Sequence, residues 1–323
     1  MSSMPALEGG TITRSPARSR LAFSAACLPF IIITFVAFIV LTLSPASVWS
    51  NWGRQRGTSA CEPLQEASAV REPINSWSNF IYTAVGAWAI GAGARDLITP
   101  AATAPPVGQL EASPLFSILL GLTWVSLGMF SFLFHGANVR LWRQYDVGFT
   151  VNAGLVMVAW SACSLTLWHV PACARHPRLT RASWMLCTVV AEALFVELKF
   201  EYSVTIALSA VVGVLILLEC IVQPLLARRS CRQRSFTALA VLLMLVAYIL
   251  RQLESSWGSR PLCLNSNWFQ PHALWHLLSG VSIALVYAVW RLPPPPEPLK
   301  RTWRRSKALT STIKADESSN IMA

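Results

Sequence analysis

The chain has 323 residues, of which 54% are hydrophobic and 13% charged, and its mean hydropathy is +0.49. A soluble domain carries about a quarter charged residues, so this chain has too little polar surface to cover a water-soluble globule. The net charge of +11 does not indicate nucleic-acid binding, because the basic residues lie in short clusters between apolar runs, as they do in loops that flank membrane spans.

The chain contains eight apolar runs, and a helix needs ~17–25 apolar residues to cross a bilayer. Backbone polar groups cannot stay unpaired in hydrocarbon, so each run is predicted to be a helix. The fifth and seventh runs are shorter than the others. In chain order the runs are Leu21–Leu43, Ser76–Ala94, Leu115–Phe134, Val147–Trp168, Ala182–Leu198, Ser203–Leu226, Phe236–Ile249 and Ala273–Trp290. The sequence therefore predicts an all-α, polytopic membrane helix bundle.

The first run follows three arginines and is either a cleaved signal peptide or a retained signal-anchor helix. Its apolar core is longer than the 7–15 residues that are usual for a signal peptide. Residues 44–49, which follow it, form a poor cleavage site. The sequence favours a retained helix.

The distribution of basic residues predicts the topology. A cytoplasmic N-terminus followed by eight alternating helices places 18 Lys and Arg residues on the cytoplasmic side and 8 on the other. The opposite assignment violates the positive-inside rule. The basic, proline-bearing tails, residues 1–20 and 292–323, are then both cytoplasmic and are predicted to be disordered. The membrane would be that of the endoplasmic reticulum or Golgi in a eukaryote, or the plasma membrane in a bacterium.

The eight cysteines divide by compartment in this topology. Only Cys61 and Cys263 fall in outer loops, where the compartment is oxidising. We predict a disulfide between them, and the alternative is a pair of free thiols.

Three of the five histidines lie at span ends on the outer side. His135 closes the third span, whereas His272 and His276 open the eighth. A spacing of four residues on a helix places both imidazoles on one face. Three neutral imidazoles with an open fourth position form a known catalytic zinc site. The pattern predicts such a site, and the alternative is interfacial histidines that happen to be spaced by four.

Two further polar residues fall on the same membrane layer. Ser131 lies one helical turn before His135, and Asp146 opens the fourth span. An ionisable group at such a position is usually functional, although capping of a helix N-terminus would explain Asp146 alone.

These motifs together resemble the signature of the alkaline ceramidase family. The segment from Ser131 to His135, Asp146 eleven residues later, and the His272-x-x-x-His276 pair carry the resemblance. Cys61-Glu62 and the Asn-rich segment 72–79 are similar to further family motifs. The family belongs to a wider superfamily of seven-helix membrane hydrolases and receptors. The resemblance spans roughly residues 61–291 and implies a seven-helix domain over residues 44–291, preceded by one extra transmembrane helix at 21–43.

The resemblance implies a zinc-dependent amidase that hydrolyses the N-acyl amide of ceramide or a related membrane lipid. Zinc would bind His135, His272 and His276, while Ser131 and Asp146 would contact and activate the water. The family also has a calcium site, and Glu62 and Glu72 match two of its ligands. Ser59 and Leu64 stand where the family has an aspartate and an asparagine.

Three other functions remain open at this point. An acyl-ester lipid hydrolase would use the same chemistry, so the residues do not separate it from an amidase. A lipid-ligand receptor of the same superfamily also carries three histidines, but the Cys61-Glu62 pair and the Asn-rich segment favour the ceramidases. A transporter is disfavoured because the chain has no obvious inverted repeat.

Overall fold

The computed structural model describes residues 16–52, 61–98, 105–106, 108–226, 229–255 and 270–293. Over this part of the chain the protein is an all-α bundle without strands. The α-helices, in chain order, are α1 (Pro16–Thr42), α2 (Pro73–Ser78), α3 (Phe80–Ile98), α4 (Pro114–Ala137), α5 (Arg140–His169), α6 (Pro171–Arg175), α7 (Pro177–Glu197), α8 (Val204–Ile216), α9 (Gln223–Leu226), α10 (Cys231–Ser255) and α11 (Pro271–Arg291). The predicted fold class is confirmed.

Seven helices within the described ranges are long and apolar enough to cross a membrane. They are α1, α4, α5, α7, the α8 segment with its continuation to Leu225, α10 and α11. In α4, α5 and α11, 61% of the most apolar window is buried, against 11–17% in the other four. Helices α4, α5 and α11 therefore form the centre of the bundle, and the other four present apolar side chains outward.

The second predicted span becomes two helices, α2 and α3, which meet at Asn79. Helix α3 is not among the seven, and its residues include many glycines and alanines and the charged pair Arg95 and Asp96. It packs against α1, α4 and α11. Because protein rather than lipid surrounds this helix, small residues can replace large apolar ones along it.

Two glycines set the distance between α3 and α4. A Cβ atom on Gly121 would lie 2.5 Å from the carbonyl oxygen of Gly86, and one on Gly86 would lie 2.6 Å from that of Gly121. The helix backbones therefore touch at this crossing, as small residues allow in membrane proteins.

The ends of two helices differ from the predicted spans. Helix α1 begins at Pro16, so residues 16–20, which were predicted to belong to the N-terminal tail, are helical. Helix α10 continues to Ser255, beyond the predicted end at Ile249. The apolar run stops at Ile249, although the helix does not, because the residues that follow are polar and some of them face the protein interior. Glu254, for example, is 3% exposed.

The segment that precedes α2 covers the end of α4. The backbone N–H of Arg71 donates to the carbonyl of Gly136 (3.0 Å), and that of Glu72 donates to the carbonyl of His135 (3.2 Å). Helix α4 ends at Asn138, which has a left-handed backbone (φ 54°) and donates from its N–H to Phe134 (2.7 Å). Asparagine tolerates this conformation better than most residues. These contacts hold Glu72 beside His135.

Candidate metal centre

The three histidines predicted as metal ligands come together at one end of the bundle. His135 lies in the last turn of α4, while His272 and His276 lie in the first two turns of α11. The ring centroids are 4.7–5.3 Å apart, and one potential ligand atom from each ring lies within 4.8 Å of the other two. This cluster can hold a metal ion.

Each imidazole is held by a hydrogen bond from Nδ1. His135 donates to Oε2 of Glu72 (2.7 Å), and His272 donates to Oε2 of Glu254 (2.9 Å). His276 Nδ1 lies 2.8 Å from the hydroxyl oxygen of Ser78. Partners of this kind fix the orientation of metal-binding histidines and their tautomer.

The tautomer of His276 follows from the contacts of Ser78. The Ser78 hydroxyl donates its hydrogen to the carbonyl of Asn75 (2.8 Å), so its oxygen is left to accept a hydrogen from Nδ1 of His276. The two carboxylates likewise accept hydrogens from the Nδ1 atoms of the other two rings. In their neutral form all three rings therefore keep a lone pair on Nε2, and this is the form that binds a metal.

The surroundings of Nε2 of His135 indicate whether the three histidines fit a metal ion. The His135 side chain is 1% exposed, and its Nε2 atom has no hydrogen-bond partner within the described part of the chain. A buried polar atom without a partner costs about 1–3 kcal/mol, and a metal ion removes that cost. Three imidazole nitrogens are a donor set that divalent transition metals accept, so the residues fit a metal ion, and its identity as zinc stays a prediction.

Glu72 is ionised beside His135. Burial alone would raise the pKa of this carboxyl group, but the hydrogen bond from His135, with those from the amides of Asn138 and Asn75, lowers the pKa to about 2. The two amides donate at 3.3 Å, Asn138 to Oε1 and Asn75 to Oε2. A full negative charge therefore stands behind the ring of His135.

Glu254 was not recognised from the sequence. It lies in the last turn of α10, and its second oxygen, Oε1, accepts the backbone N–H of Cys61 (3.0 Å). The sequence feature that could have revealed it is the length of the seventh apolar run, which is too short to cross a bilayer. The helix therefore had to continue into polar residues. One acidic residue in that continuation was the candidate to face inward.

Ser131 and Asp146 are both buried, with exposed fractions of 1% and 9%. Ser131 lies on α4, one turn before His135, and Asp146 lies in the second turn of α5. The Asp146 carboxylate acts electrostatically on His135, on Tyr82 and on Arg251. It therefore lies close to the metal centre and does not serve merely as the cap of α5, whose N-cap is Val139.

An apolar chamber starts beside His276. The ring centroid of Tyr82 lies 6.0 Å from that of His276, and the Tyr82 hydroxyl contacts Ser279 Oγ (2.5 Å). Both residues line a chamber between α5, α8, α10 and α11 with about 720 Å³ of space between atoms, part of it open to the surroundings. From His276 to Val286, which also lines it, α11 advances about 15 Å.

The far end of the chamber is closed by Glu219. Ser161 and Trp290 donate to its Oε1 (2.5 and 3.0 Å), and Arg229 pairs with its Oε2. It lies in a π-helical segment, Leu217–Val222, that continues α8. Glu192, a second acidic residue within a span, accepts a hydrogen bond from Thr123 (2.8 Å). Both glutamates thus join helices and lie away from the histidines.

Glu62 and Glu72, the predicted calcium ligands, lie near each other, and the charge of Glu72 acts on Glu62. Burial raises the pKa of Glu62, against the opposing effect of two backbone donors. These donors are the N–H groups of Asn75 (2.8 Å) and Ile74 (2.7 Å), one to each oxygen. Glu62 therefore caps the start of α2, and calcium binding stays a prediction.

The predicted disulfide is described on one side only. Cys61 takes part in a disulfide, whereas Cys263 lies outside the described residues, so the pairing of the two stays a prediction. The other six cysteines of the chain are free.

No known family model, no curated protein and no solved structure matches this chain. The resemblance to the alkaline ceramidases therefore rests on the motifs and on the arrangement of the residues that carry them.

Proposed function

We propose that the protein is a zinc-dependent membrane hydrolase that cleaves the N-acyl amide of ceramide or a closely related lipid, releasing a fatty acid and an amine. The observation that carries the proposal is the convergence of three imidazoles, two buried and that of His272 partly buried, each held through Nδ1, around one point beside an apolar chamber. A zinc ion bound there would lower the pKa of a water molecule to about 7 and polarise the substrate carbonyl.

Asp146 is proposed as the proton carrier. Glu72 and Glu254 each accept a hydrogen bond from a histidine, and Glu62 accepts two backbone N–H groups. Asp146 is a further carboxylate whose charge acts on His135. It would accept a proton from the attacking water and deliver that proton to the leaving nitrogen. The C–N bond would then break, and the nitrogen would leave as an amine. The position of Asp146 near His135 supports this role.

Ser131 and Tyr82 are proposed to contact the reacting carbonyl or the substrate hydroxyls. Both hydroxyls lie on buried helix faces beside the histidines. Losing one such donor typically costs a factor of about 100 to 1000 in turnover.

The substrate class follows from the chamber. Most of its lining is apolar, with Tyr82 and Ser279 at the end beside the histidines and Glu219 at the other end. The remaining polar side chains of the lining carry single hydroxyl groups: Thr150, Thr237 and Ser282. An acyl chain would lie along the chamber with its carbonyl at the metal end. In the proposed topology this end faces the lumen or the cell exterior.

The test is to incubate the purified protein with ceramide, dihydroceramide, phytoceramide and a phospholipid and to measure released fatty acid and bound zinc. His272→Ala is expected to lose both stoichiometric zinc and cleavage. His169→Ala is the matched control and should keep both, because this exposed histidine lies at the end of α5 away from Asp146. An active, zinc-free His272→Ala variant would overturn the proposal, and release from the phospholipid alone would assign an ester hydrolase instead.

A further inference from the structure

A second cavity lies at the end of the bundle opposite the histidines. It is a groove between the last turn of α3, the first turn of α4 and the start of α7, with about 1070 Å³ of space between atoms, part of it open to the surroundings. Leu97, Phe116 and Met185 form its apolar wall. It shares no lining residue with the chamber beside the metal centre.

Two arginines line the same groove. Arg178 is exposed and Arg181 half-buried, and both belong to the first two turns of α7. Their spacing of three residues places them on one face of the helix. Two positive charges therefore stand at the rim of an apolar groove.

Ser113 provides an independent sign of a ligand. It lines the groove, is 3% exposed, and its Oγ has no hydrogen-bond partner among the described residues. Although it occupies the N-cap position of α4, it does not cap that helix with its side chain. The N-terminus of this 24-residue helix carries a partial positive charge, which favours an anion at the same place.

Two acidic residues near the groove in sequence, Asp96 and Glu111, pair with arginines outside it. Asp96 pairs with Arg291 (2.8 Å) and with Arg95 (3.0 Å), and Glu111 lies 3.6 Å from Arg291. Their charges are directed to these two arginines, neither of which lines the groove.

We propose that this groove binds one anionic phospholipid. The headgroup phosphate would lie between Arg178, Arg181 and the hydroxyl of Ser113, and an acyl chain would lie along Leu97, Phe116 and Met185. Free phosphate would satisfy the polar rim but leave the apolar wall uncovered. Basic pockets between membrane helices on the cytoplasmic side, where the predicted topology places this end, bind such headgroups.

The experiment is native mass spectrometry of the full-length protein after reconstitution with equal amounts of phosphatidylglycerol and phosphatidylcholine of the same acyl chains. The wild-type protein is expected to retain one phosphatidylglycerol molecule in preference to phosphatidylcholine. Each basic residue near a membrane surface contributes about fivefold to such a preference, so the Arg178→Gln/Arg181→Gln variant should lose roughly 30-fold. Ser113→Ala should weaken retention in the same direction.

The matched control is Arg175→Gln, which removes an exposed charge on the neighbouring helix α6 and outside the groove. It should leave the preference unchanged. If the double variant does not give a monodisperse protein, the single Arg178→Gln variant decides, because that side chain is exposed. An equal loss in Arg175→Gln, equal retention of both lipids, or full displacement by inorganic phosphate would each overturn the proposal.

Discussion

His272 donates a hydrogen bond of 2.9 Å from Nδ1 to Glu254, and the same carboxylate accepts the backbone N–H of Cys61 (3.0 Å). A single side chain thus connects a candidate metal ligand on α11, the end of α10 and the disulfide-bearing segment. Because the Glu254 side chain is 2% exposed, its charge is little screened by solvent at this position.

Changing Glu254→Gln is expected to weaken zinc binding about 10–100-fold, the usual effect of altering a residue that orients a metal ligand. The amide keeps the shape but removes the charge that holds the hydrogen on Nδ1 of His272. Competition with a chromogenic chelator measures the affinity. Glu197→Gln changes an exposed carboxylate at the end of α7 and serves as the control. Equal affinity in the Glu254→Gln and wild-type proteins would contradict this role.

Asp146→Asn should retain stoichiometric zinc and lose turnover by a factor of about 100 or more, because proton transfer by a positioned side chain contributes about 10²–10⁴ to the rate. Asp146 is not part of the three-histidine cluster, so the metal content separates its role from that of a ligand. Metal analysis and fatty-acid release are measured on the same preparation. Normal activity in this variant would remove Asp146 from the mechanism, and loss of zinc would make it part of the metal site.

The convergence of the three histidines was predicted from the sequence, whereas the residues that hold the imidazole rings were not. Four-residue spacing placed His272 and His276 on one face, and alternation of the spans brought His135 to the same end. Glu254 was missed because hydropathy marks where a helix meets polar residues, not where the helix ends. Glu72 was assigned to calcium, because its contact with His135 depends on backbone pairing between distant segments, which leaves no periodic signal.

The bundle was likewise predicted in outline. Long runs of apolar residues identify membrane helices, which is why α1, α4 and α8 were found at nearly the correct positions. Of these, α1 and α8 present apolar side chains outward, whereas α4 lies at the centre of the bundle. The chamber and the groove between α3, α4 and α7 were not predicted. Each is lined by side chains from several helices, and which faces meet depends on close contacts such as that of Gly86 with Gly121.

Glu62→Ala should lower the thermal midpoint in detergent, because it leaves the N–H groups of Ile74 and Asn75 without their acceptors. Unpaired buried donors cost about 1–3 kcal/mol. Glu66→Ala, at an exposed position on the same segment, should have little effect. Repeating both measurements with calcium tests the calcium prediction as well: stabilisation by calcium that disappears only in Glu62→Ala supports the site. An unchanged midpoint in Glu62→Ala would contradict the capping role.

Gly121→Ala and Gly213→Ala should change stability in opposite directions. A Cβ atom on Gly121 would lie 2.5 Å from a backbone oxygen of α3, so the helices must separate, at a cost of about 1–3 kcal/mol. A Cβ atom on Gly213 meets nothing within 4 Å, so alanine there gains about 0.5–1 kcal/mol of helix stability. Thermal unfolding of the two variants in one detergent measures both. A loss of stability in Gly213→Ala as well would contradict the open space around Gly213 on α8.

If the proposed hydrolase activity holds its acyl chain in this chamber, Ile216→Trp is expected to shorten the acyl chain that the protein accepts. Ile216 lines the chamber near its inner end, at the start of the π-helical segment, whereas its neighbour Leu217 is 47% exposed and does not line the chamber. Each methylene excluded from an apolar site costs about 0.8 kcal/mol, so loss of room for two or three should lower kcat/KM for a long-chain ceramide about 10–50-fold. Hydrolysis of a short-chain ceramide should persist, since its acyl chain ends before the added ring. Leu217→Trp, with the same change of volume on the outward face, should cleave both substrates at the wild-type rate. Because the two variants differ only in which face carries the indole, equal losses for long and short chains in Ile216→Trp would mean that the acyl chain lies outside this chamber.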